Sequence, residues 1–252
     1  MSIVHLRVPS GKIYDPLPSQ MEFHAATEKF RVYVGGMGAG KTLANCVEAF
    51  LTAMTYPGSV GLLGRWSHSE LRDTTWETLK RIVPRQLVID ECCSTQKTEM
   101  LLRAPDGKVS KIHGKHCSNW KSVTSMNLDW FGVDELTELP DDRTWKQLEG
   151  RLRGDVGPHR GWGSGTPAGH DWVWQLFVKK GYRGYRAIKA PTSQNVHNPA
   201  GYEQNLRRSG TLEWNKRFLD AEFDVWEGQC LKQWEERVHV IPRFRPPDHW
   251  PR

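Results

Sequence analysis

The residues best suited to chemistry lie at positions 35–42, where the sequence reads GGMGAGKT. This run matches the phosphate-binding pattern G-x-x-x-x-G-K-[ST] at every fixed position. In such a loop, glycines let successive backbone N–H groups turn toward phosphate oxygens at the positively polarised start of a helix. Lys41 would place a positive charge beside the phosphates, and the Thr42 hydroxyl would be a ligand for Mg²⁺. The sequence therefore predicts a nucleoside triphosphate site formed by Gly35, Gly36, Met37, Gly38, Ala39, Gly40, Lys41 and Thr42.

A second candidate segment, WFGVDE at residues 130–135, is predicted to be a buried strand that ends in two acids. Asp134 would hold the Mg²⁺ together with Thr42, and Glu135 would orient and deprotonate the attacking water. Glu138, one helical turn further on, is the alternative base. Asp134 could instead simply cap the helix that follows. A paired Asp-Glu favours hydrolysis over transfer to a second substrate.

The elements that must position these residues are predicted from periodicity and turn signals. A strand should precede the glycine-rich loop, and a helix with apolar residues at helical spacing should follow it. Ser67 and Glu70 form a capping box at the start of a further helix, and Asp106-Gly107 predicts the turn of a β-hairpin. The alternation of strands and helices predicts one α/β domain with a mostly parallel central sheet, flanking helices and a hairpin insertion. The predicted strands are 30–34, 60–63, 100–103, 109–112, 130–135 and 161–165, and the predicted helices are 42–54, 67–82 and 140–152.

The composition favours a soluble enzyme domain over a membrane protein. The chain has 252 residues, of which 38% are hydrophobic, and no apolar run is long enough to cross a bilayer. Its formal net charge of +6 is uneven along the chain, with several lysine- and arginine-rich segments that fit either contact with a polyanion or a solvated basic surface. Five cysteines without a C-x-x-C pair favour reduced thiols over a disulfide framework or a zinc site.

Further landmarks flank the glycine-rich loop and the Asp-Glu pair. Residues 14–20, YDPLPSQ, place Gln20 upstream of the loop; Arg65 follows the second predicted strand, and residues 164–167 read SGTP. In this order they resemble the ATPase domain of phage large terminases over nearly the whole chain. The resemblance implies that the Gln20 amide reads adenine, that Arg65 and Thr166 contact the nucleotide, and that residues 164–167 couple loss of the γ-phosphate to the rest of the motor.

The resemblance also implies a fold, an activity and a set of partners. The fold would be a P-loop NTPase of the ASCE type, and the activity would be Mg²⁺-dependent ATP hydrolysis that powers translocation of double-stranded viral DNA into a procapsid. Self-association into a ring on a capsid portal and contact with a small terminase subunit are expected, in the host cell cytoplasm and without a membrane. Residues 1–240 would form the ATPase domain, and residues 241–252 a proline-rich linker toward a nuclease domain absent from this sequence. No nuclease activity is expected of the chain.

One departure from the terminase pattern concerns the charge in the P-loop. Many terminases carry a basic residue inside the loop, whereas the corresponding stretch here offers only Met37. The charge that spreads over the γ-phosphate in the transition state then needs another cation, and an arginine from a neighbouring subunit would supply it. The candidates are Arg143, Arg151 and Arg153, on or just after the helix that follows the Asp-Glu pair, with Lys121 next.

Two other function classes share part of this pattern. A helicase-like or other nucleic-acid-stimulated ATPase would also carry a P-loop and an Asp-Glu pair, but the coupling segment and the position of Gln20 count against it. A small-molecule or nucleotide kinase would need an arginine-rich lid segment, which is not recognisable here. Hydrolysis that rises with double-stranded DNA and with protein concentration would favour the motor; stimulation by a small acceptor would favour the kinase.

Overall fold

The part of the chain that the structure describes is built around one eight-stranded β-sheet. The computed structural model describes residues 9, 11, 13–224, 236–240 and 242, so the predicted linker at 241–252 lies outside the described residues except for Pro242. In chain order the strands are β1 (Phe30–Gly35), β2 (Val60–Arg65), β3 (Val88–Cys93), β4 (Thr98–Arg103), β5 (Val109–His116), β6 (Trp130–Val133), β7 (Arg160–Gly165) and β8 (Tyr185–Ala190). Their order across the sheet is β3-β4-β5-β2-β6-β7-β1-β8.

The strand directions confirm the predicted fold class. Every pair from β5 through β2, β6, β7 and β1 to β8 is parallel, whereas the pairs β3–β4 and β4–β5 are antiparallel. Strand β7 lies between β1, which leads into the P-loop, and β6, which leads into the Asp-Glu pair. This inserted strand is the arrangement of the ASCE-type P-loop fold. The carboxyl ends of β1, β2, β6 and β7 therefore meet at one edge of the sheet.

Helices cover both faces of the sheet. They are α1 (Pro18–Ala25), α2 (Lys41–Thr55), α3 (His68–Glu70), α4 (Glu77–Ile82), α5 (Arg143–Glu149), α6 (Trp172–Trp174), α7 (Tyr202–Ser209), α8 (Leu212–Phe218) and α9 (Glu236–His239). A π-helical turn, Leu71–Trp76, joins α3 to α4, and a second, Gln175–Lys179, continues α6. One apolar cluster contains residues of α1, α2 and α4, and the other contains residues of α5 and α6. Among the described residues, no helix has the length and apolar character needed to span a bilayer.

Strand β3 and helix α5 are two of the elements that differ from the sequence prediction. Strand β3 is not predicted, because it lies at the edge of the sheet and its residues are exposed or half-buried without an alternating apolar pattern. The helix predicted at 140–152 is wrong in its bounds, since α5 covers only Arg143–Glu149. The Asp141 carboxylate accepts the backbone N–H of Arg143 at 3.0 Å, so the residues before α5 form a turn instead of a first helical turn.

Candidate nucleotide-binding site

The P-loop connects β1 to α2 at the carboxyl edge of the parallel strands. Gly38 and Gly40 have φ angles of +69° and +73°, a region that residues with side chains rarely adopt. These two glycines allow the loop to curl before α2 begins at Lys41. The Lys41 ammonium donates to the carbonyl oxygens of Gly36 at 3.1 Å and Gly35 at 3.3 Å, so its charge lies inside the loop. The loop thus has the geometry of a phosphate-binding site at a helix N-terminus.

The carboxylate of Asp134, directly after β6, is fully buried and accepts hydrogen bonds from four different elements. Thr42 of α2 donates to Oδ2 at 3.0 Å, and Arg65 at the end of β2 donates to the same oxygen at 3.2 Å. Ser164 of β7 donates to Oδ1 at 2.7 Å, and Thr75 of the first π-helical turn donates to Oδ2 at 2.7 Å. Asp134 therefore does not cap the following turn. It is held beside the threonine that ends the P-loop motif.

Glu135, the residue after Asp134, contacts the P-loop lysine. Its backbone has a φ of +49°, which is unusual for a residue with a side chain. Its Oε1 is 3.6 Å from Lys41 Nζ, and its Oε2 accepts the Thr166 backbone N–H at 3.3 Å. Burial raises the pKa of Glu135, and the nearby Lys41 ammonium opposes that rise. The two residues predicted as base and phosphate ligand are thus brought into contact, and Thr166 joins them.

The alternative base, Glu138, pairs with Arg65 at the end of β2. Its carboxylate is 4.0 Å from the Arg65 guanidinium, and its side chain is 38% exposed. Burial raises the pKa of Glu138 to about 7, and Arg65 partly offsets this rise. Glu138 thus forms its ion pair with Arg65, whereas Glu135 pairs with Lys41 inside the P-loop. The geometry therefore favours Glu135 as the water-orienting carboxylate.

Arg65 contacts the acidic side of the site. Its Nη1 donates to Thr74 Oγ1 at 2.7 Å as well as to Asp134, and its Nε is 3.9 Å from Glu70. The side chain is only 12% exposed. The sequence predicts a contact between Arg65 and the nucleotide, and the structure places Arg65 against the carboxylate that faces the P-loop threonine.

Asn45 is a site residue that the sequence analysis missed. It is fully buried on α2, its Oδ1 accepts the indole N–H of Trp162 at 2.8 Å, and its Nδ2 donates to Ser164 Oγ at 3.0 Å. Because Trp162 can only donate, the amide orientation is fixed, and the Ser164 proton must point to Asp134. No spacing rule identifies Asn45, since its partners are more than a hundred residues away.

Gln20, the predicted adenine reader, packs directly against the P-loop. Its Nε2 donates to the Gly40 carbonyl at 3.1 Å, and its Oε1 accepts the Leu17 backbone N–H at 2.9 Å. The side chain lines a cavity of about 580 Å³ beside the loop, together with Tyr14, Leu43, Arg81 and His197. The structure thus puts Gln20 at the wall of a cavity large enough for a nucleobase, with both ends of its amide bonded to the backbone.

The three candidate arginines lie at two different edges of the sheet. Arg143 is 67% exposed and paired with Asp141 at the start of α5. The next residue, Thr144, donates to the Cys117 carbonyl just after β5, so this end of α5 is on the P-loop edge. The Arg151 carbonyl accepts the backbone N–H of Leu128 just before β6, which puts Arg151 at the opposite edge.

Arg153 is at that opposite edge as well. Its Nε donates to Asn127 Oδ1 at 2.7 Å, and Asn127 lies three residues before β6 begins. The structure therefore does not bring Arg151 or Arg153 to the P-loop of their own chain. Lys121 lies in a short 3₁₀ turn after β5, on the P-loop edge. A contribution of any of them across a subunit interface remains a prediction.

A segment near the end of the described chain contacts the P-loop from outside the sheet. Thr192 Oγ1 donates to the Met37 carbonyl at 2.7 Å, and Asn198 Nδ2 donates to the Gly38 carbonyl at 3.4 Å. The Met37 N–H donates to the Phe218 carbonyl at 2.6 Å. These contacts are not visible in the sequence, because they join residues more than 150 positions apart.

Comparisons with known proteins agree with this geometry and identify the family. The phage terminase large subunit family matches residues 27–226 of the sequence. The chain belongs to the phage terminase large subunit family. The resemblance drawn from the P-loop, the Asp-Glu pair and the flanking landmarks is therefore confirmed.

Two curated terminase relatives cover most of this chain. The large subunit from Thermus phage G20c is 24% identical over 249 residues, which is 90% of this chain and 46% of the relative. The large subunit from Thermus virus P23-45 is 23% identical over 249 residues, again 90% of this chain and 46% of the relative. The chain thus spans about half the length of the curated terminases that it matches.

Solved terminase structures share the fold. The large terminase of a thermophilic bacteriophage superposes with a TM-score of 0.74 at 16% identity, covering 92% of this chain and 60% of that one. The ATPase domain of the Thermus phage P74-26 large terminase gives a TM-score of 0.65 at 18% identity, covering 83% of this chain and 94% of that one. The first of these two terminases has also been solved with ADP and with ATP-γ-S.

Proposed function

We propose that this chain is the ATPase motor part of a large terminase, and that it hydrolyses ATP to drive double-stranded viral DNA into a procapsid. The observation that carries the proposal is the convergence of Lys41, Thr42, Asp134 and Glu135 at one edge of the sheet. Lys41 contacts Glu135 at 3.6 Å, and Thr42 contacts Asp134 at 3.0 Å. This brings together a phosphate-binding lysine, two oxygen ligands for one Mg²⁺ and a base.

The residues present fit a bound Mg²⁺. Thr42 Oγ1 and Asp134 Oδ2 are hard oxygen ligands 3.0 Å apart, close to the separation of about 2.9 Å between neighbouring ligands of an octahedral Mg²⁺. No cluster of three or more His, Cys, Asp or Glu side chains that could hold a metal occurs in the described part of the chain. Mg²⁺ in nucleotide sites needs only one or two protein ligands, because substrate phosphates and waters supply the rest. When bound, Mg²⁺ would neutralise charge on the phosphate oxygens.

The chain's own residues would then act in a defined order. The arriving phosphates compete with Glu135 for the Lys41 ammonium, so binding frees the Glu135 carboxylate. Glu135 accepts a proton from water as that water attacks the γ-phosphorus, and the bond from phosphorus to the bridging oxygen breaks, giving ADP and phosphate. The Thr166 N–H, bonded to Glu135 at 3.3 Å, links this event to the segment after β7.

The adenine role of Gln20 predicts a base preference. We expect the wild-type chain to bind ATP more tightly than GTP, and Gln20→Ala to reduce that preference. The loss for ATP should be on the order of 1 to 3 kcal/mol, the usual penalty for leaving hydrogen-bonding groups unpaired. Competition binding against a fluorescent ATP analogue measures both affinities. Equal losses for ATP and GTP would mean that Gln20 only braces the Gly40 carbonyl, and equal wild-type affinities would contradict the adenine role.

The proposed partners follow from the motor role. They are double-stranded DNA, further copies of the chain in a ring docked on a capsid portal, and a small terminase subunit, all in the host cell cytoplasm. The test is the steady-state rate of ATP hydrolysis as protein concentration and double-stranded DNA are varied. We expect the rate per chain to rise with both, because ring assembly and DNA engagement should complete the site.

The outcomes separate the motor from its alternatives. Equal stimulation by single-stranded nucleic acid, with no dependence on protein concentration, would favour a helicase-like ATPase. Phosphoryl transfer to a small acceptor in place of hydrolysis would favour a kinase. Either result would overturn the packaging assignment without removing the P-loop site itself.

A further inference from the structure

The Asp134 carboxylate is held by one short hydrogen bond on each oxygen. Ser164 donates to Oδ1 at 2.7 Å, and Thr75 donates to Oδ2 at 2.7 Å. Thr42 donates to both oxygens at longer distances, 3.0 Å and 3.3 Å. If Thr42 turns its oxygen to a metal ion, the Ser164 and Thr75 bonds still fix the plane of the carboxylate. Ser164 belongs to the coupling segment, whereas no motif assigns a role to Thr75.

Thr75 reaches Asp134 because it lies in the π-helical turn Leu71–Trp76. Such turns are rare, and they occur frequently at functional sites. Thr75 is fully buried, and its backbone carbonyl accepts the Cys46 thiol at 3.3 Å. Burial raises the pKa of Cys46, which keeps the thiol protonated as a donor. The turn is thereby tied to α2, the helix that carries Lys41 and Thr42.

Thr74, the residue before Thr75, is linked to the same carboxylate through Arg65. Thr74 Oγ1 accepts from Arg65 Nη1 at 2.7 Å and donates to the Glu70 carbonyl at 2.6 Å. The same Arg65 nitrogen donates to Asp134 Oδ2 at 3.2 Å. Two consecutive hydroxyls of the turn therefore meet one carboxylate, Thr75 directly and Thr74 through Arg65.

We propose that Thr75 is a positioning residue that sets the Asp134 carboxylate for Mg²⁺ binding, with the π-helical turn as its support. This inference rests on the proposed Mg²⁺ role of Asp134 and Thr42. Without the Thr75 hydroxyl, Oδ2 loses its shortest donor and the carboxylate turns more freely about its side-chain bond. Mg²⁺ then has to order the carboxylate on binding, which weakens its affinity while leaving the Lys41 contact to phosphate intact.

The test compares Thr75→Val with Thr75→Ser. The valine variant keeps the size and branching of threonine and removes the hydroxyl, whereas the serine variant keeps the hydroxyl and removes the methyl group. ATP-γ-S binding is measured by calorimetry in EDTA and then at increasing Mg²⁺ concentration. We expect Thr75→Val to need about tenfold more Mg²⁺ for half-maximal tightening, the effect of losing roughly one hydrogen bond to a charged group. Binding in EDTA should stay at the wild-type value, and Thr75→Ser should resemble the wild type.

A third variant separates hydroxyl loss from altered packing. Thr75→Ala also removes the hydroxyl, so it should share the Mg²⁺ requirement of Thr75→Val, and it replaces that variant if the valine chain does not fold. A Mg²⁺ requirement within about twofold of wild type in a folded hydroxyl-free variant would overturn the proposal, as would equal loss in Thr75→Ser. If Mg²⁺ does not tighten ATP-γ-S binding to the wild-type chain, the proposed metal role itself fails.

Discussion

Glu135→Gln is expected to lower ATP turnover at least about a hundredfold while ATP remains bound, because the substitution removes the proposed general base and keeps the side-chain size. Glu135 is placed for this task by its contact with Lys41 and by the Thr166 N–H. A general base contributes mainly in the transition state, so the effect should fall on kcat. Steady-state turnover and equilibrium ATP binding, measured on the same preparation, provide the two numbers.

Two companion variants make this expectation specific. Lys41→Ala should weaken nucleotide binding itself, since Lys41 lies inside the loop and, in the proposed site, would contact the phosphates before any chemistry. Glu138→Gln is the matched control, because Glu138 is an acid of the same type that pairs with Arg65 outside the loop. Turnover that stays normal in Glu135→Gln and collapses in Glu138→Gln would transfer the base assignment to Glu138.

The second large effect concerns the positive charge that the P-loop lacks at Met37. An arginine that reaches the γ-phosphate across a subunit interface is worth roughly 10³ to 10⁵ in rate in related phosphoryl transfers. We expect one of Arg143→Ala, Arg151→Ala and Arg153→Ala to retain ATP binding and lose at least about tenfold in turnover, which is about 1.4 kcal/mol of transition-state stabilisation. Lys146→Ala is the control for Arg143, because both are exposed, salt-bridged residues of α5.

Mixing experiments reveal whether the arginine acts across the interface. An inactive arginine variant mixed with Glu135→Gln protein should regain some activity, because some interfaces in the mixed ring pair an intact base with an intact arginine. A defect that mixing never relieves would indicate a role within one chain, which the structure allows only for Arg143 among the three, since Arg151 and Arg153 lie at the far edge of the sheet. If none of the three variants loses activity, Lys121 is next.

Much of the site was predictable because its signals are local. The P-loop pattern spans eight consecutive residues, and the Asp-Glu pair directly follows an apolar strand. The hairpin around Asp106-Gly107 and the helix start at Ser67 also depend on neighbours in sequence. The structure confirms the hairpin, and of the two capping-box bonds it shows the one from the Glu70 N–H to the Ser67 hydroxyl. Parallel pairing then places the P-loop and Asp134 together, because both follow strand ends at the same edge of the sheet.

The remainder depends on contacts between distant segments. Gly132 interrupts an apolar strand, yet a Cβ there would lie 2.5 Å from Trp162 Nε1 and 2.6 Å from Asn45 Oδ1. The glycine makes room for the buried amide of Asn45 and the indole of Trp162, which orient Ser164. No local sequence pattern predicts these contacts. The π-helical turn that carries Thr75 is also not predicted, since its residues have the pattern of an ordinary helix. Strand β3 escapes prediction because an exposed edge strand lacks apolar alternation.

The P-loop edge of this sheet is expected to hydrolyse ATP. The most direct measurement is phosphate release from ATP in Mg²⁺ and double-stranded DNA by the wild-type chain, beside Lys41→Ala and Glu135→Gln prepared in the same way. We expect steady phosphate release by the wild type, loss of both ATP binding and release in Lys41→Ala, and retained binding without release in Glu135→Gln. Phosphate release by both variants at the wild-type rate would contradict the account.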